Sequence, residues 1–121
     1  MTHSTGQVGL LGEEAAARFL KSAGHQILQR NFKCPVGEID LITFHEGTLV
    51  FVEVKALSGD GGDPEEHVNR AKQRKLAAVA EFWIAKNRRP RCAYRFDVVS
   101  VLARPDSEPQ VRHIVEAFLP S

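Results

Sequence analysis

In the stretch GEIDLITFHEGTLVFVEVKA, residues 37–56, three charged side chains, Asp40, Glu53 and Lys55, stand among residues that otherwise belong to a core. A water-soluble domain keeps such charges on its wet face unless they are paired or needed. Side chains alternate along a strand, so Glu53 and Lys55 share a face, as do Glu38 and Asp40. A two-residue turn at Glu46-Gly47 places His45 opposite Thr48. Counting back along both strands then sets Asp40 opposite Glu53 and Glu38 opposite Lys55. Two carboxylates facing each other across a sheet repel by ~0.2–1 kcal/mol, and in a low-dielectric setting they cannot both stay ionised. A divalent cation removes the conflict, because Mg²⁺ takes one or two carboxylates and keeps several of its waters. The carbonyl of Val54, between Glu53 and Lys55, is placed to add an oxygen. Lys55 is then positioned to stabilise a developing oxyanion or to orient a metal-bound water. The competing reading is a structural ion-pair group, with Glu38–Lys55 as the obvious couple.

These residues need elements to hold them. A first helix is expected from about Leu10 to Ala23, stopped by Gly24 at its C′ position. Its apolar residues Ala16, Ala17, Leu20 and Ala23 share one face, and Glu13 falls on that face. Glu14 instead looks toward Arg18 and Lys21 as a solvent-side ion pair. Glu13 thus lies at the edge of a buried stripe, where it can join the acidic pair; as a first-turn acid it is also favoured by the helix dipole alone. A strand over about His25–Cys34 is broken by Pro35. The hairpin follows, 38–44 and 49–55. Residues 58–67 form a glycine-rich loop without the Walker pattern. A second helix runs from about Val68 to Asn87, with Leu76, Val79, Ala80 and Trp83 as its stripe. Strands over about 93–103 and 111–118 complete the order α-β-β-β-α-β-β. Both hairpin strands are apolar on both faces: Ile39 and Leu41 point one way, Ile42 and Phe44 the other, and Val50, Val52 and Val54 oppose Leu49 and Phe51. Such a sheet must be covered on both sides. The expected fold is an α/β sandwich, a mixed central sheet flanked by helices.

A chain of 121 residues reads as a single domain, with residues 1–8 as a flexible N-terminal stretch. No apolar run approaches ~20 residues, so no membrane span or membrane partner is expected. The N-terminus has no basic start followed by an apolar block, which makes the cytoplasm the default. Cys34 and Cys92 lie far apart and form no CxxC pair, and are read as reduced structural thiols. The net charge of +1 hides an asymmetry. Residues 69–95 carry nine of the 16 Lys/Arg and one of the 15 Asp/Glu, a balance of +8. The remaining seven Lys/Arg and 14 Asp/Glu give −7. A basic stretch beside an acidic one suits a phosphate-binding surface next to a cation site; the plainer reading is a helix with a solvated cationic face. His3, His25, His45, His67 and His113 have no ligand spacing and read as surface or structural residues. Asp97, a strand acid in RFDVV, reads as a structural hydrogen-bonding group, with an accessory place in the site as the lesser reading.

Asp40 followed after twelve residues by Glu53-Val54-Lys55 resembles the D…(D/E)xK core of the PD-(D/E)XK nuclease superfamily. The surrounding sequence is closer still to a smaller group. GLLGEEAAARFLKSAGHQILQRNFKCPVGEIDLI, LVFVEVKA, AKQRKL, YRFDVVSV and HIVEAF together resemble the YraN-type family of small bacterial predicted endonucleases, over nearly the whole chain from about Gly9 to Phe118. The resemblance implies a restriction-endonuclease-like fold similar to that of archaeal Holliday-junction resolvases. It implies Asp40 and Glu53 as metal ligands, Lys55 as the catalytic lysine and Glu13 as the first-helix acid, reaching the metal directly or through water. Lys72 and Gln73 fall where the superfamily often sets a helix lysine or glutamine near the site. One departure stands out: the family tends to follow the lysine with a small residue and then arginine, whereas here Ala56-Leu57 follow, which removes a phosphate contact at position 57.

The expected chemistry is hydrolysis of a nucleic-acid phosphodiester, DNA ahead of RNA, with Mg²⁺ or Mn²⁺ as cofactor. Lys72, Gln73, Arg74, Lys75, Arg88, Arg89 and Arg91 are expected to hold the backbone of the substrate. No base-reading motif is present, so cutting is expected to be structure-selective or weakly sequence-specific, as in DNA processing, repair or recombination. Because related resolvases act as dimers, a homodimer is the oligomeric expectation the resemblance carries. The alternative, from a different class, is a nucleic-acid-binding accessory module that keeps the fold with little turnover.

Overall fold

The first helix ends in hydrogen bonds that only a left-handed residue permits. Gly24 takes φ +94°, its N–H donates to the Lys21 carbonyl at 3.0 Å, and the His25 N–H donates to the Leu20 carbonyl at 2.9 Å. That pair of bonds is a Schellman cap, and it turns the chain directly into the first strand. The computed structural model describes residues 5–57, 69–89 and 91–118. Within them the elements are α1 (Thr5–Ser22), β1 (Gln26–Cys34), β2 (Gly37–His45), β3 (Thr48–Leu57), α2 (Arg70–Lys86), β4 (Ala93–Leu102) and β5 (Gln110–Phe118). This is the element order read from the sequence. The glycine-rich loop expected at 58–67 lies outside the described residues. Helix α1 starts at Thr5, five residues earlier than expected. Of the stretch 1–8 expected to be flexible, residues 5–8 are helical and residues 1–4 lie outside the described residues. Nothing in TGQVG forbids a helix, and extending one that is already nucleated is cheap.

The five strands form one sheet in the order β1-β2-β3-β4-β5. The β3–β4 pair is parallel, bridged by the segment containing α2, and the other three pairs are antiparallel, so the sheet is mixed. The β2–β3 turn has φ +49° at Glu46 and +81° at Gly47, the two left-handed residues of a type I′ hairpin. It sets His45 opposite Thr48, as the sequence predicts.

Each face of the sheet buries its own core. On one face Ala16, Ala17 and Leu20 of α1 pack on Leu41, Val50, Val52, Val99 and Val101. On the other, Leu76, Val79, Ala80 and Trp83 of α2 pack on Phe32, Ile39, Ile42, Leu49, Phe51, Phe96 and Val98. The helix stripes and the alternation of β3 are those expected. Strand β2 departs from expectation at one point. Ile39 and Leu41, two residues apart, belong to opposite cores rather than to one face. The strand turns over between them, and the residue at the turn is Asp40. On the neighbouring strand Asn31, level with Asp40 between the pairs Arg30–Leu41 and Phe32–Ile39, has φ +52°, a conformation asparagine tolerates better than most residues.

Candidate carboxylate–lysine site

The turnover of β2 opens the sheet. The β2–β3 ladder runs from His45–Thr48 to Leu41–Val52 and stops one pair short of Asp40–Glu53. The register thus points these two acids at each other, but no backbone pair joins them. The Asp40 carboxylate fills the gap: its Oδ2 accepts the Val54 N–H at 2.7 Å. The carbonyl of Val54 is expected to add one oxygen to a metal; the contact with Asp40 is made by the N–H of the same residue. From this position in the seam, Asp40 is within reach of acids from both faces, Glu53 on β3 and Glu13 on α1. Burial first, then the charge of Glu53 and the charge and hydrogen bond of Glu13, push the Asp40 carboxyl up to about 7, against the lowering effect of the Val54 N–H. Helix α1 can come this close because residue 12 is glycine: a Cβ there would meet the Ala56 Cβ at 3.2 Å. The small residue after Lys55 and the glycine before Glu13 therefore fit one contact.

Two lysines balance the acids. Lys55 Nζ lies 3.8 Å from Glu53 Oε1, on the same face as expected from strand alternation. Lys72 Nζ lies 3.0 Å from the same oxygen. Lys72 owes its place to the start of α2, where the Asn69 side chain caps the Lys72 N–H at 2.9 Å. Burial and the adjacent Lys72 lower the pKa of Lys55 below the ordinary lysine range, although Glu53 and Asp40 oppose this. Burial also disfavours the charge of Lys72, but its bonds to Glu53 and Lys55 outweigh that and raise it. The couple Glu38–Lys55 does not form. Glu38 stands opposite Lys33 on β1, and Lys55 pairs with Glu53.

The acids are hard oxygen donors crowded closely enough to hold a proton near neutrality, which is the chemistry a hard divalent cation relieves. The fit has one limit. Among the described residues no three His, Cys, Asp or Glu side chains converge as a ready ligand set, and Glu53 is held by lysines.

The expected nucleic-acid contacts divide. Lys72, Gln73, Arg74 and Lys75 lie in the first turns of α2, the end from which Lys72 reaches Glu53. Arg88, Arg89 and Arg91 lie beyond its other end, about 20 Å from Lys72 at 1.5 Å per residue. Arg88 sits past the C-cap with φ +54°, and the Arg89 guanidinium lies 5.8 Å from the centre of the Trp83 ring. The structure does not bring these two groups together. Glu13 and Glu14 are separated as the helix face predicts. Glu14 pairs with Arg18 at 3.7 Å and with Arg30 of β1 at 2.8 Å, and the Arg30 hydrogen bond lowers its pKa. Cys34 and Cys92 are free thiols.

One cluster is invisible in the sequence. On the α1 side of the sheet, His25 and His45 stack with ring centres 4.1 Å apart, and His113 meets His25 edge-on at 5.8 Å. His25 Nδ1 bonds Thr43 Oγ1 at 2.8 Å. His113 Nε2 bonds Asp97 at 2.7 Å, and Asp97 also takes Arg95 at 3.0 Å and the Glu116 N–H at 3.1 Å. Burial would raise Asp97, but these three partners together hold its pKa below the usual range, and the structural reading of Asp97 stands. The three histidines are far apart in sequence and no local signal links them.

The fold and site define a class: an α/β domain whose broken central ladder gathers an Asp, a Glu and two lysines. The chain belongs to the uncharacterised protein family UPF0102. The model of the uncharacterised protein family UPF0102 matches residues 12–101, a span that includes Glu13, Asp40, Glu53, Lys55 and Lys72. The YraN-type resemblance read from the sequence is to this family. A UPF0102 protein of Syntrophotalea carbinolica is 42% identical over 119 residues, 98% of this chain and 96% of that one. One from Caldicellulosiruptor saccharolyticus is 45% identical over 103 residues, 84% of this chain and 87% of the relative. One from Nocardia farcinica is 44% identical over 112 residues, covering 92% and 88%.

Proposed function

We propose that this protein is a metal-dependent nuclease of the PD-(D/E)XK type, acting on the phosphodiester backbone of DNA or, less favourably, RNA. The observation that carries the reading is the Asp40 carboxylate in the open ladder, bonded to the Val54 N–H at 2.7 Å and crowded by Glu53 and Glu13. A domain built for stability alone would gain by replacing such a group. Asp40 and Glu53 would hold Mg²⁺ or Mn²⁺, with the Val54 carbonyl and Glu13 as further oxygens. The chemistry supplied by such an ion would be Lewis-acid activation of water near neutral pH and an offset to charge on the phosphate.

The chain's own groups do the rest. The Val54 N–H fixes the orientation of Asp40. Glu53 anchors both lysines, and as substrate enters, their charge is available to the phosphate oxygens. Lys55, whose proton is held less tightly than an ordinary lysine's, is the group placed to orient the attacking water or to stabilise the charge that develops. Glu13 keeps the acid count high enough for a divalent cation to be preferred over a proton.

The alternative is a nucleic-acid-binding module with little turnover. The one observation in its favour is the short Lys72–Glu53 ion pair of 3.0 Å, which competes with a metal for Glu53. A cleavage assay on single-stranded, duplex, flap and four-way substrates decides between the two, run with Mg²⁺, with Mn²⁺ and with chelator. Metal-dependent cutting that vanishes in Glu53→Gln supports the nuclease. Binding without cutting under every condition supports the module. Neither binding nor cutting ends both readings.

A further inference from the structure

A groove of about 520 Å³ opens beside the carboxylates, between the β1–β2 turn and the first turns of α2. Lys33, Cys34, Val36 and Glu38 line it from the turn, and Lys72 and Lys75 from the helix. The walls approach because residue 37 is glycine. It takes φ +150°, and a Cβ there would lie 3.0 Å from Val79 Cγ2 of α2. A side chain at this point would push the turn off the helix and widen the groove.

The charge of the groove is uneven in a useful way. Three lysines against Glu38 leave it at +2. Lys72 is already committed to Glu53 at 3.0 Å. Lys33 and Lys75 are exposed and, among the described residues, no carboxylate lies within ion-pairing distance of either. Glu38, opposite Lys33 in the β1–β2 register, sets one acid on the same wall. Thus the cationic track begins at the site, at Lys72, and leads outward past Lys75 to Lys33. Val36, 45% exposed at the turn, offers an apolar edge beside it. By contrast, Arg88, Arg89 and Arg91 lie at the opposite end of α2.

We infer that this groove is the path of the substrate strand, with Lys75 and Lys33 as positioning residues that hold successive phosphates of one sugar–phosphate backbone as it leaves the carboxylate site. The proposal rests on the nuclease reading and deepens it. Lys33 and the 34–37 turn enter the substrate surface, and the Arg88–Arg91 end drops out of the set that positions the reacting phosphate. The ligand chemistry is a single backbone strand, which an unpaired strand or one strand of a duplex both supply.

The two free thiols test this on the unaltered protein. Cys34 lines the groove, whereas Cys92 follows Arg91 at the other end of α2. Alkylation of each is followed by mass spectrometry in chelator and low salt, with and without a short oligonucleotide, single-stranded in one arm and duplex in the other. Nucleic acid in the groove slows modification of Cys34 in proportion to the fraction bound and leaves Cys92 unchanged. In a second measurement, Lys33→Gln and Lys75→Gln each flatten the dependence of log K on log salt, by about 0.7 with a single strand and about 0.9 with a duplex. The arm in which Cys34 is protected and the lysine variants lose slope tells which source of the strand the groove accepts. Binding that protects Cys92 but not Cys34, or protects neither, overturns the groove while the nuclease reading stands. A full salt slope in both lysine variants overturns it as well. No binding to either oligonucleotide, in chelator or with Mg²⁺ added, removes the nuclease reading and the groove with it.

Discussion

Asp40→Asn tests the electrostatics of the site without requiring any turnover. In the folded protein the Asp40 carboxyl is pushed from its ordinary 3.8 up to about 7, chiefly by burial and then by Glu53. The folded value lies above the unfolded one, so folding favours the protonated acid. Stability from this group is complete below pH ~4, falls as pH rises toward ~7, and is level above that. At about 1.4 kcal/mol for each tenfold change in proton affinity, the penalty for ionised Asp40 is at most about 4 kcal/mol. Solvent screening at a half-buried carboxylate brings the working figure nearer 2 kcal/mol. Asparagine keeps the oxygen that accepts the Val54 N–H and removes the charge. In chelator at pH 8, Asp40→Asn is therefore expected to be more stable than wild type by roughly 2 kcal/mol, a rise in Tm on the order of 5–10 °C. At pH 4 the two proteins should melt nearly together, because folded Asp40 is then protonated and position 40 is neutral in both. Thermal melts at the two pH values are the assay. A variant that is less stable at pH 8, or that differs from wild type equally at both pH values, would refute the claim that burial and the neighbouring acids disfavour ionised Asp40.

Mg²⁺ or Mn²⁺ should raise the melting temperature of wild type, by roughly 2.7 kcal/mol of stability at a hundredfold excess over Kd, and Glu53→Gln and Asp40→Asn should each lose most of that gain; an undiminished response in both variants would place the metal elsewhere. Glu13→Gln should strongly reduce metal-dependent cleavage while Glu14→Gln, whose partners are Arg18 and Arg30 on the surface, leaves it nearly intact, and equal effects in the cleavage assay would sink the helix-face argument. His25, lowered to about 4 by burial and then by His45 and His113, has a folded value below its unfolded one near 6.5. Its contribution is whole above pH ~6.5 and is lost as pH falls toward ~4, by at most about 3 kcal/mol before solvent screening and roughly half that after it. An imidazole NMR titration that finds His25 ionising near 6.5 in the folded protein would contradict this.

Much of this molecule is written in local pattern. The stripe Ala16, Ala17, Leu20 fixes the buried face of α1 and hence the separation of Glu13 from Glu14, because 3.6-residue periodicity needs no tertiary information. Gly24 marks the end of α1 and Glu46-Gly47 the hairpin, because their backbone conformations are set within a few residues. The alternation Leu49–Val54 shows that the sheet is covered twice and puts Glu53 and Lys55 on one face. What alternation could not reveal is where it fails. Ile39 and Leu41 go to opposite cores because packing against two helices outweighs the strand's own period at Asp40, and that failure opens the ladder and turns the carboxylate toward Val54. The division of the basic segment is likewise tertiary: of nine cations close together in sequence, five lie on the rigid helix α2 and four beyond its far end, so Lys72 reaches Glu53 while Arg88 and Arg89 cannot. The cluster of His25, His45 and His113 depends on contacts across the sheet between residues 20 to 88 positions apart. Lys33 and Lys75 belong to one groove only because a glycine at 37 lets a turn dock on a helix, a close approach decided by the shape of the neighbour rather than by the turn itself.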